Sequence, residues 1–150
     1  MILRDARAAD VDFVVGLVPR FVENGIAGGH TRDEVIEGTS RVLRDALHHP
    51  QRGDVFLIAE DERGDRAGFV YAVTHRDFFT GERYAHVSEI AAARSGAGVG
   101  GELMDAVERW SRDHGYRMVT LNVVDANAPA QRFYERRGYA LGHRHYVKRL

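Results

Sequence analysis

The sequence predicts a mixed α/β protein, a sheet carrying helices on both faces, built as one domain over residues 1–150. Three observations lead there. Apolar residues alternate between strand and helix spacing in the order β, α, α, three strands, α, β, α, β. The 150 residues suffice for one core and are too few for two comfortable ones. Four glycines within residues 96–101 lie where a strand pattern gives way to a helix pattern.

The first element, "MILRDA", reads as a short strand. From Asp10 onward, Phe13, Val14, Leu17, Val18, Phe21 and Val22 recur at helical spacing, and Pro19 predicts a break in that run. The Gly-rich "NGIAGGHTRDE" (24–34) is a loop. Within it Thr31 and Glu34 resemble a capping box opening a helix that runs to about His48, before Pro50. "DVFLIAED" (54–61) and "AGFVYAVTH" (67–75) form a hairpin, and "FFTGERY" turns the chain into a third strand, "AHVSEIAAA". Beyond the glycines, Val99, Leu103, Met104, Ala106, Val107 and Trp110 share one helical face, with Glu102, Asp105, Glu108, Arg109 and Arg112 opposite. Gly115 stops that helix. "YRMVTLNVV" is a strand, "ANAPAQRFYERRG" a helix ended by Gly138, and "YALGHRHYVKRL" closes the chain as one strand or two.

Composition excludes several classes. Lys and Arg number 21 against 22 Asp and Glu, so no global basic field points to nucleic acid. With no cysteine there are no disulfides, thiolate metal sites or cysteine nucleophiles, which fits a reducing, cytoplasmic setting. No apolar run approaches a membrane span, and the N-terminus does not read as a signal peptide. His143 and His145 stand i, i+2 without a third ligand, so no metal site is expected.

The glycine cluster carries the functional question. A helix start leaves amides unpartnered and partially positive, and glycines let an anion approach them closely. Residues 96–101 satisfy G-x-G-x-x-G, but the acid that a dinucleotide fingerprint needs about 20 positions on is missing, and only ~50 residues follow. A P-loop fails because no Gly-Lys-Ser/Thr follows. A bare strand–helix turn without a ligand would not need so many glycines.

The segment from His86 to Leu150, with "GAGVGGEL" and "NAPAQRFYERRGY", strongly resembles the GNAT superfamily of acyl-CoA-dependent N-acyltransferases, in particular its bacterial single-domain members. The last 65 residues carry the resemblance closely, the first 85 by order of elements. It implies a mostly antiparallel central sheet with a splayed coenzyme cleft. It also implies transfer of an acetyl group from acetyl-CoA to an amine, by direct transfer in a ternary complex. Backbone from Arg94 through Ser95, Gly96, Ala97, Gly98, Val99, Gly100 and Gly101 would hold the pyrophosphate. Ile90, Ala91 and Ala92 would run beside the pantetheine arm. The family pattern Q/R-x-x-G-x-G begins on Ser95 here, with Arg94 one residue early.

By the same resemblance, Tyr134 stands near the coenzyme sulfur as proton donor or positioning group, and Asn127 contacts the pantetheine arm. Their plain alternatives are core filler and helix N-cap. Glu89 is the expected base, where members of the family keep a carboxylate; His86 or water is the alternative. Strand alternation puts Val87, Glu89 and Ala91 on one face and His86, Ser88 and Ile90 on the other. The acceptor would meet "FVENGIAGGHTRDE" and "HRDFFTGERY", whose mixed charges name no substrate, small molecule or protein. Phe78, Phe79 and Tyr84 line a pocket or fill the hairpin. Monomer and homodimer are both compatible. A coenzyme-binding module that has lost the reaction and a nucleotide-binding regulator are the competing functional classes.

Overall fold

The computed structural model describes residues 1–150. Five strands stand in sequential order across one sheet: β1 (Ile2–Asp5), β2 (Val55–Glu60), β3 (Arg66–Arg76), β4 (Arg83–Ala92) and β5 (Val119–Leu121). The first four pair antiparallel and β5 joins β4 in parallel. Helices α1 (Val11–Gly16) and α2 (Arg32–His48) cover one face, and α3 (Val99–Asp113) covers the other, with α4 (Ala128–Arg136) against it. The expected mixed, mostly antiparallel sheet with helices on both faces is what forms.

Two cores result from strand alternation. On the α1–α2 face, Phe69, Tyr71 and Ala91 pack with Val14, Val18, Leu43 and Leu47. On the α3 face, Val70, Ala72 and Val87 pack with Val99, Leu103, Met104 and Val107. The predicted break at Pro19 is real: α1 ends at Gly16 and a 3-10 segment, Val18–Val22, follows. Thr31 caps α2, its hydroxyl accepting from the Glu34 amide at 3.1 Å.

The N-terminal end is tied by a buried carboxylate. Asp10 accepts from Arg4 Nη1 and Nη2 at 2.8 and 2.9 Å, from Arg66 Nε at 2.7 Å and from the Arg7 amide at 2.8 Å. Its side chain is 1% exposed. Hydrogen bonding from Arg4 holds this carboxyl well below the usual carboxylate range. The cluster fastens β1 and β3 to the start of α1, and Arg4 also reaches Glu60 on β2.

Two expectations are corrected. The final segment forms no strand: residues 139–150 carry no secondary structure, and Leu141 and Tyr146 are exposed. Strand β5, expected over 116–124, is only three residues long and offers too short an outer edge to template a partner. The segment's few apolar side chains, interrupted by Gly142, His143, Arg144 and His145, bury too little to offset the entropy of ordering it. It lies instead against the 27–30 loop, where a Cβ on Gly29 would sit 2.6 Å from Val147 Cγ1. The second correction concerns the face that Glu89 occupies, described below.

Asp10→Asn removes the charge that Arg4 and Arg66 share and should cost about 3–5 kcal/mol in urea unfolding at pH 7. In the wild type this contribution is present above the carboxyl's unfolded value of 3.8 and is lost as pH falls below it. The Asn variant should therefore lack the loss of stability through that window.

Candidate functional site

The parallel ladder between β4 and β5 lasts three pairs, Ala85↔Val119, His86↔Thr120 and Val87↔Leu121. Strand β4 then continues alone on that side to Ala92. Beyond Val87 the ladder ends, and β4 has no strand partner on that side from Ser88 to Ala92. Glu89, Ile90, Ala91 and Ala92 all lie on this stretch.

A β-bulge sets which way they face. Tyr71 pairs with Glu89 while its neighbour Ala72 pairs with Val87, so Ser88 is the extra residue. Strict alternation fails here. Glu89 and Ala91 share the α1–α2 face with Tyr71, whereas Val87 is on the α3 face. The bulge also brings His86 to the face of Glu89, because its cross-strand partner Val73 packs on the α1–α2 side. Nothing in the local sequence marks the bulge, since Ser and Glu are both ordinary in a strand.

Glu89 makes no hydrogen bond or ion pair with any side chain, and burial pushes its carboxyl up to about 7. His86 is engaged: its Nδ1 lies 2.7 Å from Thr120 Oγ1, and its ring stacks on His75 at 5.2 Å. Burial, then the neighbouring His75, lowers its pKa. Tyr71, beside Glu89, donates to Asp54 at 2.8 Å.

After Ala92 the chain enters the glycine loop. Ser95 and Gly96 form a turn, and no backbone amide from Arg94 to Gly101 makes a close, well-aligned hydrogen bond within the chain; the next, Glu102, donates to Gly98 O at 3.1 Å. The glycines divide their work. Gly96 and Gly98 have φ of 80° and 76°, the left-handed region, and nothing lies within 4 Å of where their Cβ atoms would be. Gly100 and Gly101 face α4 and its C-cap, where a Cβ would be in ordinary contact with Phe133 Cζ and Arg137 Nη1 at 3.6 and 3.8 Å. Beneath the loop, Gly68 lets β3 approach, because a Cβ there would be 2.7 Å from both Ala91 O and Val99 Cγ1. The result is a run of free amides under open space, the geometry of an anion site.

Helix α4 forms the far wall. Asn127 caps it, its side-chain oxygen accepting from Ala130 N at 3.2 Å, so the N-cap reading is correct. Arg137 fastens α4 to α3 through Asp105 and Glu108, and Tyr139 Oη donates to Glu108 at 3.2 Å. Tyr134 packs on the α3-side core between Phe133 and Tyr139, at ring distances of 5.0 and 5.7 Å. Its hydroxyl makes no hydrogen bond within the chain, and burial raises its pKa to about 12. Glu89 and Tyr134 thus approach the cleft from opposite faces of the sheet.

The acceptor-side segments behave differently from one another. The 23–31 loop closes beside the cleft, with a would-be Gly25 Cβ 3.0 Å from Val124 Cγ1 and Ala126 Cβ. At the β3–β4 hairpin tip, Phe78 and Phe79 project into solvent and neither line a pocket nor fill the turn. The sequence reading missed Arg20, whose guanidinium reaches across to the start of the glycine loop. Its place after Pro19 in a broken helical run gave no signal of that role. No group of three or more His, Cys, Asp or Glu side chains is arranged to hold a metal ion. No helix is long and apolar enough to cross a membrane.

Comparison with known proteins identifies a family and a fold. Residues 26–139 match the Acetyltransferase (GNAT) family. No curated protein sequence matches the chain. Among solved structures, a Pyrococcus furiosus protein described as an acetyl transferase superposes with a TM-score of 0.78 at 22% identity, covering 99% of each chain. A ribosomal-protein-alanine N-acetyltransferase from Brucella melitensis biovar Abortus 2308 gives 0.71 at 18%, covering all of both chains. The enzyme AAC(6')-Iy, in complex with the bisubstrate analog CoA-S-monomethyl-acetylneamine, gives 0.70 at 19%, covering 99% of this chain and 97% of its own. At these identities the likeness establishes the fold.

The raised Glu89 carboxyl has a thermodynamic signature. The folded state binds this proton more tightly than the unfolded chain, so stability falls as pH rises from the ordinary value of 4.5 to about 7. Glu89→Gln should therefore be more stable than wild type above pH 7, by up to roughly 3 kcal/mol, and equal to it below about pH 4.5. Denaturant titrations at pH 4.5 and 8 check both limbs.

Proposed function

We propose that this chain, which belongs to the Acetyltransferase (GNAT) family, is a single-domain N-acetyltransferase. It moves an acetyl group from acetyl-CoA directly to an amine within a ternary complex. The observation that carries the reading is the run of free amides from Arg94 to Gly101, lying under open space at the end of a strand whose edge is unpaired. Pyrophosphate is the anion such a run suits, and the β4 edge through Ile90 and Ala91, up to the Ala92 carbonyl that Arg20 holds, suits an amide-bearing arm. Asn127, already engaged as the α4 cap, and Tyr134 border that arm.

Acetyl-CoA supplies an activated acyl group on sulfur. An amine attacks its carbonyl only when neutral, so a proton must leave the nitrogen as the N–C bond forms and the C–S bond breaks. Glu89 is suited to take it. A carboxyl at about 7 is half ionised near neutral pH and is a stronger base than an ordinary carboxylate. His86 is the weaker candidate, because burial and the neighbouring His75 lower its basicity.

Tyr134 serves the leaving sulfur. Its phenol near 12 is a weaker acid than a thiol at ~8.5, so complete proton transfer to a thiolate is uphill by roughly 5 kcal/mol. The phenol therefore acts by donating a hydrogen bond to the developing sulfur anion, and the proton that ends on sulfur comes from solvent. The contribution should be moderate.

Coenzyme A should bind the wild type in calorimetry, and acetyl-CoA should be consumed against at least one member of a broad amine panel. Binding without turnover across protein and small-molecule amines would favour a coenzyme-binding module without catalysis. Affinity for NAD or ATP in place of coenzyme A would defeat the reading.

Glu89→Gln should lower the rate by about 10²-fold and abolish the rise in rate with pH centred near 7, leaving coenzyme affinity little changed. A variant that keeps that limb transfers the role to His86 or water.

Tyr134→Phe should slow turnover by about 10- to 10²-fold with an unaltered coenzyme Kd, since the ring still packs. Steady-state kinetics alongside coenzyme titration separates this from a purely structural side chain, which would leave turnover intact.

A further inference from the structure

Building on the coenzyme reading above, we propose that Arg20 is a positioning residue for the pyrophosphate loop, holding its carbonyls inward so that its amides face the anion. Arg20 stands on the 3-10 segment after α1, on the opposite side of the loop from α4 and more than 70 residues away in sequence. Its Nη1 donates to the carbonyls of Ala92 and Ala93 at 2.5 and 2.8 Å, and its Nη2 to Ser95 Oγ at 3.0 Å. Its Nε faces Glu23 Oε1 at 3.7 Å, which steadies the guanidinium from its own element.

The loop has almost no other anchor. Ala93 N donates to Ala67 O, and Gly98 O accepts from Glu102. From Arg94 to Ala97 the chain makes a turn at Ser95 and Gly96, and the one hydrogen bond that reaches this stretch from another element is that from Arg20 to Ser95 Oγ. Two glycines in this stretch, Gly96 and Gly98, adopt positive φ, so the backbone itself is permissive. An anion site of backbone amides works only when those amides already converge; otherwise binding must supply their ordering entropy.

Peptide geometry shows how Arg20 supplies the convergence. A trans peptide points its C=O and the following N–H in opposite directions. Drawing the Ala93 carbonyl onto the guanidinium turns the Arg94 amide away from it, toward the outer side of the loop. The same pull on Ala92 is consistent with Ala93 N reaching back to β3. The planar fork reaches the two carbonyls from one nitrogen and the hydroxyl from the other, a spread that a single ammonium nitrogen matches less well.

Arg20 further joins the two halves of the site. The segment bearing it leads directly into the 23–31 loop beside the cleft, so the element that orders the donor site also starts the acceptor side.

The test uses the full chain in two arms. In the free protein, Arg20→Gln should shift the amide resonances of residues 93 to 98, leaving those of β1, β2 and the body of α3 in place. In calorimetry with coenzyme A, Arg20→Gln should raise Kd by about 10- to 100-fold, and Arg20→Lys should recover only part of the loss. Ser95→Ala, which removes one bond of the clamp and cannot unfold the chain, should raise Kd a few-fold. Pantetheine, which lacks the pyrophosphate, should bind Arg20→Gln and wild type alike. A coenzyme Kd within twofold of wild type in Arg20→Gln, or equal weakening toward pantetheine, overturns the proposal, as do unmoved loop resonances. Failure of the wild type to bind coenzyme A would instead refute the coenzyme reading, and the resonance arm would still decide whether Arg20 orders the loop.

Discussion

The structure depends on where one ladder stops. Strand β5 pairs with β4 for three residues and then leaves it, while β4 runs on for five more. A sheet that kept pairing would satisfy those backbone groups and close the surface. Ending the ladder at Val87↔Leu121 leaves a polar edge unpaired in the middle of the molecule. Buried or half-buried backbone groups want partners. The fold accepts the deficit here because β3 continues to pair with β4 on its other side, through Gly68↔Ala92. The long β3–β4 hairpin is therefore the beam on which the cleft is cut.

The Ser88 bulge gives that beam its chemistry. Without it, Glu89 would turn toward α3 and the aliphatic core of Leu103 and Val107. With it, the carboxyl stands beside Tyr71 on the acceptor-side face, buried enough to be raised and still without a cation to lower it. The contrast with Asp10 is instructive. Both are carboxylates in the interior; Asp10 has two guanidiniums and an amide and is held ionised, whereas Glu89 has none and titrates near neutrality. One stabilises the fold by being paired, and the other holds its proton to higher pH because it is not.

The glycine cluster shows a similar division between construction and ligand. Two of its glycines supply left-handed backbone under open space and two open α3 where it faces α4. Helix α4 is then locked to α3 by Arg137 with Asp105 and Glu108, which fixes the Tyr134 ring against the core. The same compact junction thus serves the anion loop on one side and the tyrosine wall on the other. Arg20 completes it from outside, reaching from the α1 layer to the strand exit.

What the sequence determined by itself was the order and kind of elements as far as α4, the break at Pro19, the Thr31 cap and the α3 stripe. These are local: spacing, capping and turn residues act within a few positions of themselves. Tertiary structure alone decided the length of β5, the unstructured course of residues 139–150, the bulge at Ser88 and the reach of Arg20. Each of these turns on partners far along the chain. A strand forms only where an edge receives it, a bulge is defined by the neighbour it slips against, and an arginine's meaning lies in which carbonyls stand at the end of its side chain.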